Sequence, residues 1–298
     1  RDRLRSRGLG DVYKRQIMHM LTVMIVGLAM GSTVMIGRSI GAKNKRQAAE
    51  CIGNTVTMFM GISMVLMAVL LVRVRPIVGI MSTPAEAVEG TVRYLTICFI
   101  GLPFMFMYNI LSADFNALGK SNIPLILLIF SSILNIVMDL LMVGGLHMGV
   151  AGAAIATVIA QGISAVLSLV IFLRLLKTYK NDEKYSVFDR NMLKAGTKIA
   201  IPSIVQQSIV SIGMLLTQSS VNHFGSSALA GYSAGNRLES LGIVPMIATG
   251  NAMSPFTAQN LGAGKTERVK EGYKAAYRII IAFGIFLALA SQLLYRPI

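Results

Sequence analysis

Eight stretches of this chain are apolar for long enough to cross about 30 Å of hydrocarbon, and that recurrence constrains the fold more than any other feature. They are placed at 17–36, 55–72, 94–112, 123–143, 150–173, 199–221, 241–261 and 279–295. At that depth no water can satisfy a free backbone, so each stretch has to be a helix. The fold class is therefore all-α, a polytopic membrane protein. Only 14% of the 298 residues are charged, against about a quarter in soluble domains, which excludes a soluble two-domain enzyme. Cys51 and Cys98 are the two cysteines and lie in apolar surroundings, so a disulfide scaffold is excluded as well. Pro103, Pro202, Pro245 and Pro255 fall inside spans or at their edges, where prolines kink helices around cavities.

The net charge of +15 is sorted by side. Residues 1–16 carry six basic and two acidic groups and no apolar core, which suits neither a span nor a signal peptide. They are expected to be a non-native leader, such as a translated sequencing adapter. The loops after the first, third, fifth and seventh spans hold 17 basic residues and the opposite loops hold 5. This is the positive-inside signal, and it puts the first set in the cytoplasm. The expected location is the bacterial plasma membrane, with the lipid bilayer as partner, no nucleic acid, and a monomer.

A displacement of 221 residues lays Ile40, Gly41 and Ala42 on Leu261, Gly262 and Ala263, and Glu50 on Glu271. It also lays Arg75, Pro76 and Ile77 on Arg296, Pro297 and Ile298. Spans one and two thus recur as spans seven and eight in the same orientation, a parallel repeat. The expectation is a protein of two six-helix lobes, of which this chain is an internal, truncated piece holding eight transmembrane helices. The divisions are an N-lobe over 17–176, a cytoplasmic linker over 177–198 and a partial C-lobe over 199–298.

Acidic groups are scarce inside the spans. Asp139 lies within 123–143, and Asp114 sits by the cytoplasmic end of 94–112. A carboxylate at membrane depth costs at least about 2.5–3.5 kcal/mol, so its presence points to function. Asn135, one turn before Asp139, shares its helix face, and Thr157 on the next helix offers a hydroxyl. Such a set either bonds neighbouring helices or exchanges a proton or cation; the exchange is the expectation. Gln206, Gln207 and Asn251, with Tyr108, are candidate substrate-cavity residues, and the 19 methionines offer an adaptable apolar lining. His19, His147 and His223 lack ligand spacing, so no metal site is expected. Gly231 to Gly235 matches a hydrolase nucleophile motif, but no strand precedes it. The pairs Gly27/Gly31 and Gly37/Gly41 read as close helix packing.

The run from Ser132 through Asn135 to Asp139, then Gly152 to Thr157, resembles helices 5 and 6 of the multidrug and toxic-compound extrusion (MATE) family. The Ile40-Gly41-Ala42 and Gln259-to-Gly264 segments resemble the cytoplasmic ends of its helices 2 and 8. The resemblance covers residues 17–298 as family helices 2–9 of twelve, and its DinF-like branch fits best. It implies a cation network of Asn135, Asp139, Thr157 and Tyr94, completed by an acid on a helix 1 that this chain does not hold. Helix 7 offers Gln206, Gln207 and Gln218 where the NorM-like branch has an acid. The implied function is a non-enzymatic antiporter, exporting a small-molecule drug or organic cation in exchange for protons or Na⁺ by alternating access. No cofactor is implied beyond that coupling ion. A lipid-linked saccharide flippase is the alternative, disfavoured because the spans hold almost no basic residue.

Overall fold

The computed structural model describes residues 22, 25–80, 85–179, 189–222 and 226–294. The leader over 1–16 and residues 180–188 of the linker lie outside them. Nine α-helices are described: α1 (Ile25–Gly41), α2 (Lys45–Ile80), α3 (Ala85–Ile100), α4 (Leu102–Ala117), α5 (Asn122–Asp139), α6 (Gly149–Tyr179), α7 (Arg190–Asn222), α8 (Ser226–Gly262) and α9 (Thr266–Leu294). A six-residue π-helical segment, Leu140–Gly145, extends α5.

Helix occupies the described part of all eight predicted spans, and the predicted third is broken. Its halves, α3 and α4, meet at 45°. Pro103 in the first turn of α4 has no N–H to donate back, and Gly101 stands at the break. There a Cβ would sit 2.6 Å from the Val158 side chain of α6, so glycine lets the bend close on that helix. Among the described residues, α2, α5 with its π segment, α6 and α9 are long and apolar enough to cross a membrane, and the bent α3–α4 pair makes a fifth. α2 begins ten residues before the predicted span because its first turns carry Lys45, Arg46 and Glu50. Exposed Leu, Ile, Val and Phe side chains cover α5 and α9, including Leu125, Ile129, Phe130 and Ile136, then Ile281, Phe286 and Leu293. In water such a surface would aggregate; in a bilayer it is the solvated face.

Helices α1–α6 pack around two cores. One joins Ile25 and Ala29 of α1 to Phe59, Leu95, Phe99, Leu102 and Phe106. The other joins Ile36 to Cys51, Leu111, Phe115 and Phe172, with the Phe115 and Phe172 rings edge to face at 5.2 Å. Helix α8 packs on α7 and α9, and the two groups meet where α4 touches α8 and α2 touches α7.

The 221-residue repeat survives bond by bond. At the end of α1, the N–H groups of Ala42, Lys43 and Asn44 donate to the carbonyls of Arg38, Ile40 and Ser39. At the end of α8, Ala263, Gly264 and Lys265 donate to Gln259, Leu261 and Asn260, the same positions displaced by 221. Both are Schellman-type ends with a left-handed residue, Lys43 at φ 56° and Gly264 at φ 70°. Where these two helix ends meet, a Cβ on Gly41 would run into the Gln259 carbonyl, and one on Gly262 into the Arg38 carbonyl. Residues 38 and 259, like 41 and 262, are repeat mates, so the contact is symmetric. Further along α1, Gly31 faces the Gly196 carbonyl of α7 and Gly37 faces Ala258 of α8. The glycine pairs noted in the sequence therefore pack, and they form the seam between the two helix groups.

Candidate functional site

Asn135 and Asp139 lie one turn apart on α5, facing α6. Asn135 Nδ2 donates to Thr157 Oγ1 at 3.3 Å, and Thr157 Oγ1 donates to the Ala153 carbonyl at 2.9 Å. Asp139 is half-buried; its Oδ1 is shielded and has no hydrogen-bond partner. The π segment begins at the next residue. Such wide turns recur at functional sites because they aim side chains that a regular helix would not. A polar pair, an unsatisfied carboxylate oxygen and a widened turn are thus gathered on one helix-helix seam, an arrangement able to bind a proton or a small cation.

Tyr94, the fourth residue implied for that network, is placed elsewhere in the described contacts. It packs on the α1–α4 core and hydrogen-bonds the Cys98 thiol one turn along α3.

A second polar region lies where α1, α4 and α8 converge. A cavity of about 150 Å³ is lined there by Thr33, Asn109, Ser112, Asn116 and Asn251, with Pro255. Asn109, Ser112 and Asn116 stand at intervals of three and four, one face of α4. Of the four predicted substrate-cavity residues, Asn251 alone lines it. Tyr108 turns to α5, where its hydroxyl donates to the Pro124 carbonyl at 3.4 Å. Gln206 is exposed and Gln207 half-buried on α7. The larger groove, about 550 Å³ between α1, α8 and α9, is mainly apolar and lined by Arg38, Met253 and Tyr273 among others.

Two functional candidates escaped the sequence reading. The α4 stripe was legible as three polar residues at helical spacing in an apolar segment. Asp114 was visible as a residue, but its height along the span gave no sign of its burial: it is 0% exposed.

Residues 14–141 and 202–298 match the family described as MatE. The chain belongs to that family. As a MatE protein it is a multi-pass protein of the bacterial plasma membrane. Among relatives, it is 31% identical over 270 residues to the "Probable multidrug resistance protein YoeA" of Bacillus subtilis (strain 168), covering 88% of this chain and 56% of that protein. It is 30% identical over 251 residues to the "Probable multidrug resistance protein YpnP" of the same strain, covering 84% and 56%. The chain thus spans a little over half the length of these relatives. Solved structures share the fold. A MATE protein in the straight conformation superposes with TM-score 0.85 at 23% identity, over 97% of this chain and 64% of that one. An outward-facing multidrug resistance MATE transporter of the MOP superfamily gives TM-score 0.86 at 22% identity, covering 96% and 64%.

Proposed function

We propose that this chain is part of a secondary antiporter that exports drugs or organic cations in exchange for a proton or Na⁺. The observation that carries the reading is the Asp139 carboxylate, held half-buried with an unsatisfied oxygen beside the Asn135–Thr157 pair. A cation arriving there satisfies Oδ1; its departure restores the orphan. A ligand of that kind shifts a conformational equilibrium only through differential affinity for the two states, and a desolvated carboxylate supplies it. The names of the MatE relatives support drugs as the cargo class. The cavity lined by Asn251, Asn109 and Asn116 lies between the helix groups, where cargo would sit during alternating access.

The test is ethidium efflux from energised cells expressing the full-length protein that carries this sequence. Asp139→Asn should lower efflux about tenfold or more while ethidium binding to purified protein persists. Undiminished efflux in that variant removes Asp139 from the coupling role.

A further inference from the structure

Asp114 is a titratable group that this cycle leaves unused. Its side chain is fully enclosed; Ser32 Oγ of α1 donates to Oδ1 at 2.7 Å, and Oδ2 has no partner. The surrounding elements bring it no cation. Arg38 of α1, Lys45 and Arg46 of α2, Arg93 of α3, Lys120 after α4, and Arg174 of α6 are all exposed. Among the described residues Asp114 forms no ion pair. α2 brings the Cys51 thiol, which lines the small cavity beside Ser32. α5 has Asp139 at its far end, and α8 has Arg237 and Glu239 about three turns or more from its contact with α4. An ionised carboxylate so placed, with one hydrogen bond and no counter-charge, is costly by several kcal/mol. Among the described residues Ser32 is the one side chain bonded to its carboxylate, whereas a hard metal cation takes about six oxygen ligands. The chemistry suits a proton.

Ser32 has a second side. It lines a water-sized cavity of about 30 Å³ with Cys51, Asn54 and Thr55, and Asn54 Nδ2 is buried there without a partner. A cavity of that volume has room for one water, and Ser32, Asn54 and Thr55 supply polar partners for it within a mainly apolar lining. Its far wall is Gly196 and Ala200 of α7. A Cβ on Gly31 would stand 2.7 Å from the Gly196 carbonyl, so backbone closes over backbone at this wall. Asn54 Oδ1 also accepts the N–H of Asp189, just before α7, at 3.0 Å. The wall belongs to one helix group and the acid to the other.

We infer that Asp114 is a second proton site, exchanging through Ser32 and the small cavity, with α7 as the lid that admits water when the two helix groups part. In unloading, the Ser32 hydroxyl turns from Oδ1 to the cavity water and the protonated acid donates to Ser32 Oγ in its place. The Asp114 O–H bond then breaks as its proton passes to Ser32 Oγ, Ser32 gives its own proton to the water, and the proton leaves as hydronium. Loading is the reverse, and no electrons move. What the proton drives rests on the exporter reading; the gated acid itself does not.

The experiment is infrared difference spectroscopy on the purified full-length protein in lipid nanodiscs, paired with ethidium-driven proton movement in proteoliposomes. A protonated-carboxyl band should be present, vanish in Asp114→Asn and persist in Asp139→Asn. Ser32→Ala, which deletes one hydroxyl, should shift that band. Asn54→Ala, which unties the lid, should speed its exchange with D₂O about tenfold. Proton movement per ethidium should fall about tenfold in Asp114→Asn. A band indifferent to both Asp114→Asn and Ser32→Ala overturns the inference, as does wild-type proton movement in Asp114→Asn. A wild-type protein that shows the band but moves no ethidium overturns the exporter reading and leaves the gated acid standing.

Discussion

Asp114 and Asp139 are the same side chain on neighbouring helices, and their surroundings are opposite. Asp139 sits deeper along its span yet half-open at the α5–α6 seam, with the amide of Asn135 one turn away. Asp114 sits three residues from the end of α4 yet is closed on every side, bonded across to α1 and one hydroxyl from a cavity under α7. In a helix bundle, two coordinates decide what a carboxylate experiences: height along the helix and the face it occupies. Hydropathy reads the first. Only packing reveals the second, and here it reverses the ranking.

The contrast can be broken in several places. The largest effect is expected from Gly31→Val, which drives a branched side chain into the Gly196 carbonyl. Forced repacking of that kind costs about 3 kcal/mol, and it should lower the thermal unfolding midpoint in detergent more than any change at the acids. The same variant should open the Asp114 cavity, so its carboxyl band exchanges faster. Unchanged melting would mean the groups do not meet there.

Next come the acids themselves. Asp114→Ala strands Ser32 in a closed site and leaves a void, a loss of about 2–3 kcal/mol. Asp139→Ala removes a group with an orphaned oxygen and partial access to solvent, and should cost about 1 kcal/mol or less. Chemical denaturation of the two variants side by side measures the difference; equal losses erase the distinction between them. The smallest effect is expected at Thr157. Thr157→Val removes one exposed hydrogen bond to Asn135, worth about 0.5 kcal/mol of stability, while efflux should fall several-fold if the hydroxyl helps hold the coupling ion. Stability and efflux falling in proportion would make Thr157 a packing residue only.

Much of the architecture was open to reading from residues alone. The spans follow from apolar runs, and the 221-residue displacement pointed to matching segments, which the structure extends to left-handed residues at 43 and 264. Asn135 and Thr157 were named together from spacing within α5 and the adjacency of α5 and α6, and the bond between them is what the structure adds. The break at Gly101 was missed because a single proline near a span edge does not say whether the helix starts, kinks or restarts. Tyr108 points away from this cavity for a similar reason: its neighbours on α4 line it, but its own direction differs by the angle of one residue step, which carries it to Pro124. The relation between Asp114 and Ser32 spans 82 positions of chain, and no periodicity links them.

The mirrored contact of Gly41 with Gln259 and of Gly262 with Arg38 is made of main-chain atoms on both sides. Main-chain atoms neither titrate nor pair with salt ions. A latch built from them is therefore indifferent to pH and ionic strength, and any sensitivity of the opening motion to proton supply has to be written elsewhere, in carboxylates that the latch covers or uncovers. Because the halves are related by repetition, neither can be loosened without loosening its counterpart, and the latch lets go all at once.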